Sequence, residues 1–391
     1  MDMRHNATLD AIKRASLSDR IDWHELGTTL LSGVFSDMRK TMQNPEYHGE
    51  GDVFTHTRLV CEALVCLDGY KNASENDKLI LFLAALLHDI GKPSCTQIKD
   101  GAIASPYHAK RGATIARAFL WRELGLCGDA QSQEVREAVS FLVRYHSFPP
   151  YAMGAKNAER RLFEISSNGE LTRDFTVEKL CLIEKADVLG RICKDTDEQL
   201  QKIEYCEDLA KEIGCFDVPY TFASPFSQRG YFARKTSWQG DELYKSTWGE
   251  VILMAGLPGT GKDTYIKANF PDLPMISLDE IRTRLKISPT ENQSAVIAEA
   301  HANARELLRK KQPFVWNATS LTADLRAKQI SLFEGYGASV KTLFLETEWN
   351  EELRRNAERS KVVPEEAIER MLLKLEMPER FESETVIWKN V

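Results

Sequence analysis

The chain has 391 residues, of which 43% are hydrophobic and 28% are charged, and its formal net charge is −7 at pH 7. This length suggests two or three domains of about 100–200 residues each. The negative charge argues against a broad surface that coats duplex nucleic acid, although a few Arg and Lys suffice to capture a strand end. The apolar runs are far shorter than the ~20 residues of a membrane span, and no cysteine lies in a CxxC pair. We therefore expect a cytoplasmic protein with reduced thiols and no membrane partner.

Two regions that differ in their pattern of apolar residues follow each other along the chain, with a segment of mixed composition between them. Residues 1–215 have apolar residues at helical spacing and are predicted to be all-α. Residues 216–247 mix Pro, Ser, Gly and aromatics and are predicted to be a linker with little regular structure. Residues 248–391 alternate apolar strands with helices, which predicts an α/β domain with a parallel sheet. Expected strands are Glu250–Ala255, 313–317 and 340–345, and expected helices are 294–311 and Ala323–Gly335.

A glycine-rich segment follows the first expected strand and opens a helix, which is the context of a phosphate-binding loop. It consists of Gly256, Leu257, Pro258, Gly259, Thr260, Gly261, Lys262, Asp263 and Thr264. Glycines let backbone amides surround a phosphate, and Lys262 can reach the β- and γ-phosphates. We predict that it binds ATP or another nucleoside triphosphate with Mg²⁺.

One position departs from the usual loop. The residue after the lysine is ordinarily a Ser or Thr that contacts magnesium, whereas this chain has Asp263, and Thr264 comes one residue too late. The residues leave open whether Asp263 reaches the metal directly, reaches it through water, or leaves it to other ligands.

Polar residues near the ends of later strands predict the acceptor side of this site. Asp279 is placed to accept a proton from an acceptor hydroxyl, and Arg282, one helical turn later, to hold an acceptor phosphate. A helix N-cap is the alternative role for Asp279. Asn317 and Thr319 follow another strand and are expected to face the same site.

Basic residues before a C-terminal helix suit a lid that closes on the phosphates; a charged surface helix is the alternative. They are Arg355, Arg359 and Lys361. The order of Lys262, Asp279 with Arg282, and Arg355-Asn-Ala-Glu-Arg359 with a downstream Val-Pro resembles the polynucleotide 5′-kinases of RNA and DNA repair. The resemblance implies that Asp279 activates a 5′-hydroxyl, that Arg282 binds the adjacent phosphate, and that Arg359 stabilises the transferring phosphoryl group.

The helical region contains His and Asp residues at the ends or inner faces of several expected helices. They are His56, His88, Asp89, His108, His146 and Asp187. Such residues can converge in a helical bundle, and imidazoles with carboxylates suit first-row divalent metals. Asp187 lies on an otherwise apolar helix, where an unpaired charge is costly. A single histidine is more often structural, and we expect the remaining histidines to be so.

The pattern H…HD…H…H…D resembles the two-metal members of the HD phosphohydrolase superfamily. That resemblance implies two divalent transition metals, such as Mn²⁺, Ni²⁺, Co²⁺ or Zn²⁺. The implied ligands are His56, His88, Asp89 and Asp187 for one metal, and Asp89, His108 and His146 for the other. Lys92, with Arg111 or Arg191, is implied to contact the scissile phosphate.

The two regions in this order resemble the bacterial HD–polynucleotide kinase family of RNA end-healing enzymes. The resemblance implies phosphorylation of 5′-OH ends and removal of 2′,3′-cyclic phosphate or 2′-phosphate ends. The implied partners are RNA strand ends, with DNA left open, and an RNA ligase; the oligomeric state, a homodimer included, stays open. Two alternatives are a nucleotide or small-molecule kinase fused to an HD nucleotidase, and a regulatory protein with a degenerate HD domain that gates an ATPase. The complete ligand set counts against the second.

Overall fold

The computed structural model describes residues 3–359 and 361–391. Contacts divide the chain into two compact units, one of Met1–Cys127 with Gln131–Tyr220 and one of Gly128–Ala130 with Thr221–Val391. The predicted fold class is confirmed, because a helical region precedes an α/β region with a parallel sheet. None of the described helices is long and apolar enough to cross a membrane.

The first unit is a bundle of helices with one small hairpin. Its helices are α1 (Met3–Ser16), α2 (Trp23–Gly27), α3 (Leu31–Arg39), α4 (Val53–Cys66), α5 (Asp68–Lys71), α6 (Glu75–Leu87), α7 (Lys92–Cys95), α8 (His108–Ala118), α9 (Ala130–Tyr145), α10 (Ala158–Ser166), α11 (Val177–Leu189) and α12 (Thr196–Glu212). Short 3₁₀ segments cover Pro149–Gly154 and Ser167–Glu170, and a π-helical turn covers Phe119–Glu123. Strands β1 (Gln97–Lys99) and β2 (Ala102–Ala104) pair antiparallel, a hairpin that the all-α prediction did not include.

Local sequence signals position two of these helices. Asp52 caps α4 by accepting a hydrogen bond from the Thr55 amide at 3.0 Å, and Ser74 caps α6 through the Asp77 amide at 3.1 Å. The last two turns of α6 are buried on every side, so the helix ends in the protein interior. Because α4, α6 and α11 pack on one another, polar residues on their facing sides meet inside the bundle.

The second unit is a parallel sheet between helices. Its elements are α13 (Pro225–Phe232), β3 (Glu250–Ala255), α14 (Lys262–Asn269), β4 (Met275–Ser277), α15 (Leu278–Leu285), α16 (Ser294–Arg309), β5 (Val315–Asn317), α17 (Ala323–Gly335), β6 (Ser339–Glu346), α18 (Trp349–Ala357), α19 (Glu365–Leu372) and β7 (Thr385–Asn390). The strand order is β4-β5-β3-β6-β7, and each neighbouring pair is parallel. Both faces of β3 are covered: Val251 and Leu253 pack into one apolar cluster, and Ile252 and Met254 into another.

The linker prediction differs most from the structure. Residues 221–247 belong to the second unit and contain α13, whose first turn is capped by Ser224 and carries Pro225. Arg229 on α13 donates hydrogen bonds to Glu334 at 2.7 and 3.0 Å, which ties this segment to α17. Pro and Ser are typical of irregular chain, but both also mark a helix start, so the composition of this segment does not reveal α13.

Candidate functional site

The first cluster of predicted ligands lies where α4, α6 and α11 meet. Nε2 of His56 is 3.4 Å from Nε2 of His88 and 2.8 Å from Oδ1 of Asp187. All three side chains are almost completely buried. Burial opposes protonation of His56, but its contacts with the carboxylates of Asp187 and Glu50 raise its pKa. The carboxylates that favour a proton here favour a metal cation equally, and two imidazole nitrogens and one carboxylate oxygen face one another at this point.

The second cluster consists of His108, His146 and Asp89. Nδ1 of His108 donates to the Ser105 carbonyl at 2.8 Å and Nδ1 of His146 to the Val143 carbonyl at 2.9 Å, so each Nε2 carries a lone pair. The two Nε2 atoms lie 3.4 Å apart. Burial lowers the pKa of both rings, that of His146 to about 3, which keeps them neutral.

No donor within this second cluster satisfies these lone pairs. Oδ1 of buried Asp89 lies 3.5 Å from Nε2 of His108 and has no hydrogen-bond partner among the described residues. Three acceptor atoms that face one another in a buried site repel unless a cation lies between them. The residues at this position thus fit a divalent metal, and the nitrogen and oxygen donors fit a first-row metal.

Asp89 joins the two clusters. Its Oδ2 is 3.2 Å from Nε2 of His88 in the first cluster, whereas its Oδ1 faces His108 in the second. Burial opposes ionisation of Asp89, but Lys92 and the nearby histidines hold its pKa well below the ordinary value. Gly91 is needed here because α8 comes very close: an added Cβ would lie 2.2 Å from the His108 carbonyl oxygen. The glycine of the His-Asp-Ile-Gly-Lys segment therefore allows His108 to approach Asp89.

Two of the cations expected at the scissile phosphate lie beside these carboxylates. Nζ of Lys92 is 2.6 Å from Oδ2 of Asp89 and donates to Oε1 of Gln43 at 2.6 Å. Arg191 donates through Nε to Oδ1 of Asp187 at 3.2 Å and also through Nη2 to Oδ2. Arg111 has a longer contact, 3.5 Å from its Nη1 to Oγ1 of Thr114 on its own helix. Contact of these cations with a phosphate stays a prediction.

The phosphate-binding loop connects β3 to α14 at the carboxyl end of the sheet. Gly256 has φ of 136°, and an added Cβ would lie 2.4 Å from the Leu345 carbonyl oxygen, so only glycine fits. Nζ of Lys262 donates to the carbonyl oxygens of Gly256 at 2.9 Å and Leu257 at 2.6 Å. Burial lowers the pKa of Lys262 to about 8, because the interior of the loop disfavours the charged ammonium.

Asp263, the unusual residue of the loop, contacts the end of β5. Its Oδ1 accepts a hydrogen bond from Nδ2 of Asn317 at 2.6 Å. The carbonyl oxygen of Thr319 accepts from the Gly256 amide at 3.0 Å, so Thr319 holds the start of the loop through its backbone. The structure therefore brings Asn317 and Thr319 to the loop. Their contact with an acceptor remains a prediction.

Asp279 lies in the first turn of α15, at the carboxyl end of β4. The N-cap is Ser277, whose Oγ accepts from the Glu280 amide at 3.3 Å, so the N-cap alternative for Asp279 is wrong. Arg282 donates a hydrogen bond to Oδ1 of Asp279, and Nη2 of Arg359 is 3.9 Å from its Oδ2. The Asp279 side chain is 74% exposed. One open carboxylate thus lies between two arginines.

The predicted lid is helix α18 and the turn that follows it. Asn356 donates from Nδ2 to the Val363 carbonyl at 2.7 Å and accepts from the Val363 amide at 3.1 Å. This pair of hydrogen bonds holds Val363 next to the helix end and close to Arg359. Asn356, the Asn of the Arg-Asn-Ala-Glu-Arg segment, therefore has a structural role. Arg355 lies beside the loop, since a Cβ on Gly261 would be 3.5 Å from its Nη1. Lys361 donates to Oγ1 of Thr283 at 2.6 Å.

Glu352 on α18 is a buried carboxyl that the sequence did not single out. Neither of its side-chain oxygens has a hydrogen-bond partner among the described residues. Burial raises its pKa to about 8, partly offset by the charge of Lys262. Glu352, next to the lysine of the phosphate-binding loop, is therefore protonated near neutral pH.

The Glu352 proton predicts a pH-dependent stability. Because the folded pKa of about 8 exceeds the ordinary 4.5, this group stabilises the fold fully below pH 4.5, and the contribution is lost as the pH rises to about 8. Glu352→Gln cannot ionise, so wild type should lose stability relative to this variant between those pH values, by at most about 1.4 kcal/mol per pH unit. Urea denaturation at a series of pH values measures the difference. Exposed Glu358→Gln is the control, and equal pH slopes in wild type and Glu352→Gln would contradict the expectation.

Three further side chains, which the sequence pattern does not mark, lie around the two clusters of predicted metal ligands, called the metal clusters below. Gln43 accepts from Lys92, as above, and Oε1 of Glu50 is 2.9 Å from Nδ1 of His56. Nδ1 of His48, expected to be structural, contacts the same Glu50 oxygen at 2.8 Å. These residues share no spacing with the ligands and belong to an irregular segment, so periodicity offered no signal for them.

Comparison with known families agrees with this geometry. A family model described as an HD domain matches residues 53–192, and one described as an AAA domain matches residues 251–378. No curated protein matches the chain. The chain thus contains an HD phosphohydrolase domain fused to a P-loop kinase-like domain, with a His/Asp cluster in the first and a phosphate-binding loop in the second.

Proposed function

We propose that this protein is a bifunctional nucleic-acid end-healing enzyme. Its kinase-like domain transfers the γ-phosphate of ATP or another nucleoside triphosphate, with Mg²⁺, to a 5′-OH end. Its HD domain removes 2′,3′-cyclic phosphate and 2′-phosphate ends with two divalent transition metals. The working substrate is RNA in the cytoplasm, where a ligase consumes the healed ends.

The placement of Asp279 between Arg282 and Arg359 is the observation that carries the kinase assignment. Phosphoryl transfer needs little covalent help from a protein, and its rate comes from positioning and charge stabilisation. Asp279 is held to accept the proton of the attacking hydroxyl, and Lys262 to bind the β- and γ-phosphates. Arg359, on a turn closed by Asn356, supplies positive charge to the transferring group.

The exposure of this acceptor side favours a polymer end over a free metabolite. Pockets for small molecules are concave and bury about 70–90% of the ligand surface. Here the Asp279 carboxylate is 74% exposed and the Arg359 side chain is 33% exposed. Such an open site leaves room for the chain that follows a 5′-terminal nucleotide, while Arg282 can bind its first phosphate.

The HD half suits hydrolysis of a phosphate ester. Bound divalent metals supply a water whose pKa falls towards neutrality. The chain itself contributes neutral His108 and His146, the shared carboxylate of Asp89, and the ammonium of Lys92 next to it. A partly buried lysine at the edge of a metal site binds phosphate oxygens strongly, because little water screens its charge.

The proposal predicts a strong preference for polymers as phosphate acceptors. We expect γ-phosphate transfer to 5′-OH RNA oligonucleotides to exceed transfer to a nucleoside 3′-monophosphate by about 100-fold or more in kcat/KM, because a longer strand adds binding contacts. A length series of radiolabelled acceptors in RNA and DNA measures this. Equal labelling of mononucleotide and oligomers would support a nucleotide kinase fused to an HD nucleotidase instead.

A further inference from the structure

The segment before α4 forms a loop over the metal clusters. We define it as the 43–51 loop. Its ends are joined by an antiparallel bridge between Met42 and Asp52, and the Gln43 amide donates to the Gly51 carbonyl at 2.9 Å. The loop precedes the region that matches the HD family model, which begins at residue 53. Its contacts with the site are therefore a feature of this chain that the family match does not cover.

Glu50 is the central side chain of this loop. Its Oε1 lies 2.8 Å from Nδ1 of His48 and 2.9 Å from Nδ1 of His56. Its Oε2 accepts a hydrogen bond from the Ile192 amide at 2.9 Å. Only about 1% of the Glu50 side chain is exposed, so these contacts are protected from water. One carboxylate therefore links a metal-cluster histidine on α4 to the chain just after α11.

Gly49 strengthens the link to the end of α11. Its amide donates to the Ile192 carbonyl at 3.0 Å, and an added Cβ would lie 2.8 Å from that oxygen. Residue 192 follows Arg191, which donates hydrogen bonds to Asp187. The loop thus contacts His56 directly and supports the segment that orients Asp187. These two residues belong to the same metal cluster.

We propose that Glu50 is a positioning residue for the metal cluster of His56, His88 and Asp187. Its carboxylate charge, 2.9 Å from Nδ1 of His56, favours a ring proton on that nitrogen, so that Nε2, 2.8 Å from Oδ1 of Asp187, remains the atom that faces the cluster. A carboxylate behind a metal-binding histidine fixes its tautomer and ring orientation. The inference rests on the proposed metal site and adds a residue to it from outside the matched domain.

Glu50→Gln tests this role because it changes the proton pattern while keeping the shape. An amide has one acceptor atom and one donor group, whereas the contacts of Glu50 require two acceptors. If the amide NH₂ faces His56, its positive end disfavours a proton on Nδ1, and the ring proton moves to Nε2, where it blocks metal binding. If the NH₂ faces the Ile192 amide, two donors meet, and the hydrogen bond between residue 50 and the chain after α11 is lost.

Gln43 gives the loop a second, independent contact with the site. Its Oε1 accepts from Nζ of Lys92 at 2.6 Å, on the side of Asp89. Gln43 is itself buried. The loop therefore holds both a metal-cluster histidine and the cation expected at the phosphate, which suits a positioning element more than a surface turn.

The test is titration of metal-free full-length protein with Mn²⁺ by calorimetry, without nucleotide or RNA. We expect two sites in wild type, and in Glu50→Gln a loss of affinity of about 10–100-fold at one of them. Glu46→Gln is the matched control, because it removes the same charge from an exposed position of the same loop. Nitrogen NMR of ¹⁵N-histidine-labelled, metal-free protein should show a change of tautomer at one ring in Glu50→Gln only.

The outcomes separate this inference from the proposed function. The positioning role is overturned if Mn²⁺ binding to both sites is unchanged in Glu50→Gln, or if it weakens equally at both. Either result leaves the proposed end-healing function intact. If wild type binds no Mn²⁺, the proposed HD activity fails as well. If Glu50→Gln unfolds, Glu50→Asp replaces it, because the shorter side chain withdraws the carboxylate from Nδ1 of His56; unchanged Mn²⁺ affinity at both sites in that variant overturns the inference.

Discussion

Lys262→Ala should abolish phosphate transfer to a 5′-OH end. Lys262 is the cation inside the phosphate-binding loop, and its Nζ donates to the carbonyl oxygens of Gly256 at 2.9 Å and Leu257 at 2.6 Å, which we expect phosphate oxygens to replace. Removal of one such charge-stabilising group typically costs about 10²–10³-fold in kcat. Transfer of γ-³²P to an RNA oligonucleotide measures the loss.

The other activity and a nearby lysine provide the controls. Metal-dependent phosphate release from a 2′,3′-cyclic end should stay at the wild-type rate in Lys262→Ala, because we assign that chemistry to the HD domain. Lys267→Ala changes an exposed lysine on the same helix and should leave both activities intact. If Lys262→Ala phosphorylates the oligonucleotide at the wild-type rate, the role assigned to the loop is refuted.

Asp89→Ala should have the opposite effect. Asp89 faces one metal cluster with each carboxylate oxygen, so its removal takes a ligand atom from both. We expect phosphate release from a 2′,3′-cyclic end to fall more than about 100-fold, beyond what loss of an outer-shell partner costs. The 5′-kinase activity should be retained. Phosphate release in the presence of Mn²⁺ or Ni²⁺ is the measurement.

Asp68→Asn is the matched control for this variant. Asp68 is an exposed aspartate of the same unit and has no part in either cluster. Its replacement should leave phosphate release unchanged. Substantial release by Asp89→Ala, or an equal loss in Asp68→Asn, would show that Asp89 is not the shared residue of the metal centre.

The sequence predicted those parts of the fold whose signals are local. Strand β3 and helix α17 were expected at the bounds that the structure has, because a buried apolar run and a capped amphipathic segment are visible in a short window. Strand β7 was not expected. Its burial pattern has a single buried residue, Val386, and the strand exists because it pairs with β6 at the sheet edge. Such pairing depends on distant residues that a local pattern does not include.

The candidate sites show the same difference between residues that a local pattern marks and residues that only the folded structure reveals. Ligand types at recognisable spacings led to His56, His88 and Asp187, which the structure brings together. Glu50 supports one of them from an irregular loop, and no periodicity marks a loop residue. Glu352 looked like one of many charged residues on a helix, and only its burial beside Lys262 distinguishes it.

The most direct test of the account uses one RNA oligonucleotide with a 5′-OH and a 2′,3′-cyclic phosphate, incubated with wild-type protein, ATP, Mg²⁺ and Mn²⁺. Gel and mass analysis of the product reports both ends at once. We predict a strand that gains a phosphate at its 5′ end and loses the phosphate at its 3′ end. A strand that remains unchanged at both ends, under conditions in which a mononucleotide is phosphorylated, would contradict it.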